Sequence, residues 1–150
     1  MKTTKITKKI LISATAAEVW KAITSKETVK KYFFGTNVES DWKEGSSITY
    51  SGNWEGKEYK DKGDIIKVEK NKLLQHTHWS SLSGKPDTPE NYYTITYELK
   101  EKDHHTEVSV TQEGQMSENA AQHSGKNWEM VLEKLKEVTE NEFHHAHSSL

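Results

Sequence analysis

The feature that most limits the fold of this chain is a change in the spacing of its apolar residues near Ser117. Before that point apolar and polar residues alternate, as they do in strands that bury one face. After it they recur in steps of three and four, which predicts one long amphipathic helix with a single inward stripe. We expect Gly125 to kink or restart this helix. The stripe comprises Trp128, Val131, Leu132, Leu135, Val138 and Glu142.

The alternating part of the chain divides into strands separated by polar turns. A first strand is predicted from Lys5 to Ser13, and six more are predicted between Gly35 and about Gly114. The stretch from Ser81 to Asn91 holds both prolines and is expected to be an exposed loop. The charge-rich run from Glu55 to Asp64 is expected to be a solvated hairpin end. These segments predict about seven antiparallel strands.

Two short helices are predicted between the first strand and the second. Thr15 and Glu18 have the spacing of a capping box, which opens a helix that runs through Thr24. A second helix is expected from Lys26 to Phe33, with Ser25 as its N-cap and Gly35 ending it. The element order predicts an α+β fold in which a curved antiparallel sheet wraps around the long C-terminal helix, because each needs a partner for its apolar face.

Length and composition predict one folded domain. A chain of 150 residues fits a single core, which we place at about residues 5–140, with a flexible tail over 141–150. Aliphatic residues are sparse, but five Trp, six Tyr and three Phe supply large apolar area, and the net charge is only −2. Disordered chains combine few aromatic residues with high net charge. The sequence therefore indicates a folded domain with an unusually aromatic core.

Several classes of protein are disfavoured by what the sequence contains. There is no cysteine, which fits a reducing compartment, and a cytoplasmic location is expected. All 21 basic residues are lysine. Arginine, whose planar guanidinium makes bidentate contacts to guanine and phosphate, is absent, and we therefore expect no nucleic-acid partner. No apolar run approaches a bilayer-spanning length, so no membrane insertion is expected. Neither a nucleophile elbow nor a glycine-rich phosphate loop occurs.

Histidines are the main candidates for metal or acid–base chemistry. His76 and His78 lie two apart on a predicted strand, so both point to one side and could supply two metal ligands. Spacing identifies no third ligand, and we expect neither a metal nor another cofactor. His76, His78, Asp64 or Glu107 could act as a general base in a cavity, but a structural role is the better prediction, and we assign no catalytic residue. His144, His145 and His147 lie in the expected tail.

Aromatic residues on the predicted inward faces indicate a pocket for a flat or apolar ligand. Each ring alone is better explained by core packing, but together they resemble a pocket wall, since several carry an O–H or N–H that needs a partner. The predicted lining of this cavity is Phe33, Val38, Trp42, Ile48, Tyr50, Trp54, His76, His78, Tyr93, Ile95, Tyr97, Trp128, Leu132 and Leu135.

Five blocks of the chain resemble, in order and spacing, the SRPBCC (START/Bet v 1-like) superfamily, and within it the activators of the heat-shock protein 90 ATPase. The similarity covers roughly residues 5 to 140, and only the joint order of the blocks makes it specific. The blocks are Ala17–Thr24 for the first helix, Tyr32–Phe33 for the end of the second, Gly63–Trp79 for the central hairpin, Tyr93–Gly114 for the last hairpin and Gly125–Leu135 for the C-terminal helix.

The resemblance implies a helix-grip fold whose sheet and long helix enclose an elongated cavity, used in relatives for lipids, aromatic polyketides or hormones. A small hydrophobic ligand is therefore the expected partner. A chaperone is a second possible partner, although the eukaryotic co-chaperones of the subgroup carry a separate N-terminal domain and ATPase activation is not expected here. A third alternative, a cyclase or hydrolase, is a weaker prediction. A cavity of roughly 300 Å³ or more would favour the ligand-binding interpretation, and a filled core the interaction module.

Overall fold

The computed structural model describes residues 3–148, and the surroundings of the side chains over residues 3–142. Seven strands and three helices follow the predicted order. The elements are β1 (Thr3–Ile12), α1 (Ala16–Thr24), α2 (Lys26–Tyr32), β2 (Asn37–Ser40), β3 (Ser47–Trp54), β4 (Lys57–Glu69), β5 (Leu73–His78), β6 (Tyr93–Lys102), β7 (His105–Gln115) and α3 (Glu118–Ser148), with a single 3₁₀ turn at Pro89–Asn91 before β6.

All seven strands belong to one antiparallel sheet in the order β1-β7-β6-β5-β4-β3-β2. α3 packs across β1 and also contacts α1 and α2. This arrangement confirms the predicted helix-grip fold, because the sheet and α3 each bury their apolar side against the other. No helix in the described part of the chain is long and apolar enough to cross a membrane.

The two short helices begin and end close to the predicted residues. The Thr15 side chain accepts a hydrogen bond from the Glu18 N–H at 3.3 Å, which is half of the predicted capping box. Ser25 occupies the N-cap position of α2 but makes no side-chain cap bond. Gly35, with a φ of +78°, donates its N–H to the Lys30 carbonyl at 2.9 Å and so ends α2.

One prediction about the first hairpins is wrong, and another is only partly right. β2 ends at Ser40, and Trp42 has a φ of 58°, so Trp42 leaves the strand and does not share the face of Val38. The run from Glu55 to Asp64 is mostly exposed and contains the hairpin turn, as predicted, but most of it is strand. Its first two residues, Glu55 and Gly56, form a tight turn with φ values of 50° and 81°, and β4 starts directly after them at Lys57.

The packed part of the core lies where α3 meets α1, α2 and the adjoining ends of the strands. Its side chains are mainly aliphatic and fully or almost fully buried. They include Ile12, Val29, Ile48, Leu74, Val108, Leu132 and Leu135. Polar groups tie the layers together, since Ser13 donates its N–H to the Glu140 carboxylate and Ala16 donates its N–H to Glu101.

α3 continues through Gly125 without the interruption that the sequence predicted. A side chain at this position would meet Lys8 of β1, because an added Cβ would lie 3.1 Å from Lys8 Cε, so the glycine allows a close approach of helix and strand. The helix also extends to Ser148, into the segment 141–150 for which a tail was predicted. The side chains of His144, His145 and His147 lie outside the described residues.

Candidate functional site

A cavity of about 600 Å³ lies between the sheet and the first half of α3. Its wall is formed by inward-facing residues of β3, β4, β5, β6 and β7, by the residues that follow α2, and by residues 123–131 of α3. The largest part of this wall is apolar and aromatic. The cavity therefore occupies one end of the sheet–helix interface, and the aliphatic core described above fills the other end.

The inward face of β3 shows how the interface changes from packed to open. Ile48 has no exposed surface, Tyr50 is 6% exposed, and Trp54 at the end of the strand is 49% exposed. These side chains point to one side because successive residues of a strand alternate between faces. β7 runs in the same direction as β3 and shows the same change. Its inward face begins with the aliphatic Val108 and continues to the polar Gln112, which lines the cavity.

Five rings form a closed circuit of contacts at the inner end of the cavity. The centroid distances are 5.6 Å for Phe33–Tyr50, 6.0 Å for Tyr50–His76, 6.3 Å for His76–Tyr97, 6.0 Å for Tyr97–Trp128 and 6.1 Å for Trp128–Phe33. All five side chains line the cavity, and four of them belong to or pack against the hydrophobic core. This aromatic circuit is therefore the floor that separates the cavity from the packed end. Burial raises the pKa of Tyr50 and of Tyr97 above the ordinary tyrosine value, so both phenols are held in the neutral form.

A buried glutamine sets the orientation of Trp128. The indole N–H of Trp128 donates to Gln112 Oε1 at 2.7 Å, and Gln112 Nε2 lies 3.3 Å from Ser124 Oγ and 3.2 Å from Met116 Sδ. Gln112 is on β7 and Trp128 is on α3, so this bond joins sheet and helix beside the cavity. The polar groups of this part of the wall are satisfied within the protein.

His76 presents a different situation, because one of its ring nitrogens has no partner. The residue is 1% exposed, and its Nδ1 lies 2.8 Å from the Thr77 carbonyl oxygen. A carbonyl can only accept, so Nδ1 carries the hydrogen and Nε2 is left as an acceptor. Nε2 is buried and has no hydrogen-bond partner among the described residues. Burial, followed by the neighbouring His78, lowers the pKa of His76 to about 4, so the ring is neutral near pH 7.

His78 is paired with a carboxylate instead. Its Nε2 lies 3.1 Å from Asp61 Oδ2, and the other oxygen of Asp61 accepts the Ser81 N–H at 3.0 Å. An imidazole held by an oriented carboxylate is the arrangement that general-base histidines use. The pair can therefore supply a base to a molecule bound in the cavity, although it also serves to join β4 to β5.

The part of the wall contributed by β4 was missed at the sequence level. Tyr59 and Asp61 face the cavity, Tyr59 pairs its hydroxyl with the Thr36 hydroxyl, and its ring lies against Gly52. The signal was available, because Glu55-Gly56 fits a two-residue hairpin turn and Tyr59, Asp61 and Ile65 then fall on one face. The high charge of the outward residues between them concealed this alternation.

The mouth of the cavity is lined by four large apolar side chains that are also exposed. They are Phe34, Trp54, Leu82 and Met130, which are 43–51% exposed. Phe34 and Trp54 contact each other edge to face at 5.9 Å. The loop after β5 supplies Leu82 and α3 supplies Met130. The rim therefore offers an apolar entrance to the aromatic interior.

The structure brings nine of the fourteen predicted lining residues together in the wall: Phe33, Tyr50, Trp54, His76, His78, Tyr93, Ile95, Tyr97 and Trp128. Five others do not line it. Val38, Ile48, Leu132 and Leu135 are buried in the packed core, and Trp42 packs against that core. Val38, Ile48, Leu132 and Leu135 were placed on the correct inward faces, but they lie nearer the packed end of those faces, whereas Trp42 lies outside the strand. Whether the nine wall residues bind a ligand stays a prediction.

The described side chains are not arranged in a way that would hold a metal ion. Within the described residues, no three side chains of His, Asp or Glu converge closely enough to hold an ion. The two histidines of β5 have ring centroids 6.2 Å apart, and one nitrogen of each is engaged, that of His76 with the Thr77 carbonyl and that of His78 with Asp61.

Together, the fold and this cavity define a helix-grip domain of the SRPBCC superfamily. The family described as Activator of Hsp90 ATPase homolog 1-like protein matches residues 13–140, and the chain belongs to this family. The predicted resemblance is thus confirmed. No curated protein matches the sequence.

Solved structures include close and distant relatives of this chain. ChR145 from Cytophaga hutchinsonii is 42% identical, with 96% of this chain and 99% of that chain covered and a TM-score of 0.81. The Aha1 dimer from Colwellia psychrerythraea is 21% identical, with 91% and 96% covered and a TM-score of 0.72. Ara h 8.0201 is 10% identical, with 92% and 98% covered and a TM-score of 0.73. The last two similarities show a shared fold alone.

Proposed function

We propose that the domain binds a small, largely apolar, ring-bearing molecule in its cavity and releases it chemically unchanged. The observation that carries this proposal is the cavity of about 600 Å³ inside the sheet–helix interface. Pockets for small ligands measure about 300–1,000 Å³, with mainly apolar and aromatic walls. An interaction module without a ligand would be expected to fill this space with side chains.

The energetics of packing support the same proposal. Protein interiors are close-packed, and an apolar void lowers stability roughly in proportion to its volume. The aromatic floor and the exposed apolar mouth leave room that longer side chains at a few positions could fill. A ligand that occupies this room restores the contacts that the wall residues lack, and it removes its own apolar surface from water.

The test is a titration of the protein with an apolar fluorescent probe, together with native mass spectrometry of protein purified from its own cells. We expect saturable binding with a micromolar constant, equivalent to about −8 kcal/mol. Native mass spectrometry would show any ligand retained from the cell. Failure of every apolar probe to saturate would contradict the proposal.

A matched pair of leucines localises the binding. Leu82 is 43% exposed at the mouth, whereas Leu11 is 57% exposed on β1, away from the cavity. Leu82→Ala should weaken probe binding about two- to threefold, since an exposed side chain buries only part of its area against a ligand. Leu11→Ala should leave the binding constant unchanged. Equal effects of the two substitutions would show that the probe binds outside the cavity.

The apolar mouth supports one alternative, a module that contacts another protein through Phe34, Trp54, Leu82 and Met130. That function predicts probe binding that is weak and not saturable, with retained protein and no retained small molecule in the native mass spectrum.

The Asp61–His78 pair supports a second alternative, an enzyme that acts on the bound molecule. That function predicts a change in the mass of the ligand on incubation with the protein, which His78→Asn abolishes.

A further inference from the structure

The unpaired nitrogen of His76 indicates what kind of ligand the cavity takes. An acceptor buried without a partner is unfavourable, because it has lost its hydrogen bond to water and gained none in the protein. His76 belongs to the aromatic floor, so the ring that carries Nε2 borders the inner end of the cavity. A ligand that brings a hydrogen-bond donor to this place would remove the deficit.

The role of Nε2 as an acceptor is fixed by the backbone next to it. Nδ1–H is committed to the Thr77 carbonyl, and the same carbonyl is in close contact with Gly63 of β4, where an added Cβ would come within 1.7 Å of the oxygen. The close approach of β4 holds this carbonyl in place. The lowered pKa of His76 agrees with this picture, since the neutral ring keeps the lone pair of Nε2 available near pH 7.

The charges of the wall disfavour a ligand that carries a carboxylate. The described cavity wall contains two carboxylate residues, Glu55 and Asp61, and no lysine, although the chain has 21 lysines. A ligand carboxylate would therefore enter a site with two acidic residues, a neutral His76 and no lysine to pair with. Burying an unpaired charge is strongly unfavourable.

We propose that the cavity takes uncharged alcohols or phenols, whose hydroxyl donates to Nε2 of His76, in preference to carboxylates of the same shape. This inference rests on the proposed ligand-binding function. Nε2 is covered in the ligand-free structure, where the rings of Tyr50, His78 and Tyr97 lie 6.0, 6.2 and 6.3 Å from the His76 ring. A ligand hydroxyl would reach it by displacing one of these three rings, all of which line the cavity.

Three molecules with the same ring system test the inference: naphthalene, 2-naphthol and 2-naphthoate. Each is used to displace the fluorescent probe at pH 7. We expect 2-naphthol to bind at least about fivefold more tightly than naphthalene, which corresponds to one added hydrogen bond. We expect 2-naphthoate to bind no better than naphthalene.

Two variants connect this preference to the histidine. His76→Asn keeps an N–H near the Thr77 carbonyl but withdraws the acceptor at the Nε2 position, so the advantage of 2-naphthol should disappear while naphthalene still binds. His105→Asn is the matched control, because His105 is exposed at the start of β7 and outside the cavity wall. It should keep the full preference.

The outcomes separate the inference from the proposed function. If neither the fluorescent probe nor any of the three molecules binds, the proposed function fails. If the probe binds but 2-naphthol does not displace it, the inference fails and the binding function stands. If naphthalene and 2-naphthol bind equally, or if the preference survives in His76→Asn, the inference fails and the binding function stands. Should His76→Asn not fold, the ¹⁵N resonance of His76 Nε2 in the unmodified protein decides. It should shift with 2-naphthol and stay in place with naphthalene, and an unchanged resonance with 2-naphthol overturns the inference.

Discussion

The two ends of the sheet–helix interface are built from the same elements and differ in what their side chains do. At the packed end, aliphatic residues such as Leu74, Leu132 and Leu135 fill the space between sheet and helix. At the open end, Tyr93 and Trp128 stand around a cavity. Aliphatic chains interdigitate closely at the packed end, whereas at the open end the indole of Trp128 is held by Gln112 and the rings stand around space that no side chain fills. The comparison shows that the fold alone does not determine which end is filled. The types of residue along the inward faces of the strands and helix determine it.

The largest expected effect concerns the packed end. Leu135 has no exposed surface, so Leu135→Ala should lower the free energy of unfolding by about 2–5 kcal/mol through the void it leaves. Met130→Ala on the same helix is the control, because Met130 is 51% exposed and should change stability by about 0.5 kcal/mol or less. Denaturant unfolding measures both. Similar values for the two would remove the distinction between the ends.

The boundary between the two ends should respond to pH through His76. Its pKa is lowered from 6.5 to about 4 in the folded protein, so between these values the unfolded chain binds a proton that the folded chain does not. Stability is therefore fully present above pH 6.5 and is lost as the pH falls towards 4. The loss from this group should be about 2 kcal/mol between pH 7 and pH 5.

The difference between unmodified protein and His76→Asn isolates this contribution, because the other titrating groups are common to both. Unfolding curves at pH 7 and pH 5 give the four free energies that are needed. If the pH dependence is the same in both proteins, the ring of His76 is not held neutral by burial.

The smallest effect is expected at the open end. Tyr93 is partly buried, and its ring lies over Gly114, where an added Cβ would come 2.5 Å from Tyr93 Cδ1. Tyr93→Ala should weaken the apolar probe by at least about 1 kcal/mol, and the domain should stay folded. Its loss of stability should be smaller than that of Leu135→Ala, since a wall residue has fewer protein contacts. A loss of several kcal/mol with no probe binding to lose would assign Tyr93 to the packed core.

The fold could be predicted because its signals are local. The change of apolar period near Ser117 and the capping box at Thr15 each depend on a few neighbouring residues, and the structure places α3 and α1 accordingly. Trp42 could not be placed in the same way. Its positive φ is set by the turn around it, whereas the alternation of residue types alone predicts that it belongs to the strand.

The candidate site was harder to predict because a cavity is a property of the space between elements. Leu132 and Tyr93 both lie on inward faces, and only the distance along the interface separates a core residue from a wall residue. The unpaired nitrogen of His76 follows from the bond of Nδ1 to the Thr77 carbonyl and from the lack of a hydrogen-bond partner for Nε2 among residues that the structure describes. Neither can be read from the spacing of His76 and His78.

The pairing of β1 with β7 has a consequence for the time course of folding. Thr3 is aligned with Gln115 and Ile12 with Thr106, so one edge of the sheet forms only when residues about a hundred positions apart meet. Such pairing closes a long loop, and contacts between distant residues slow folding. During synthesis, β1 leaves the ribosome well before its partner strand exists. It stays unpaired until then, and its exposed Lys5 and Lys9 are charges of the kind that limit the association of an unpaired strand with other chains.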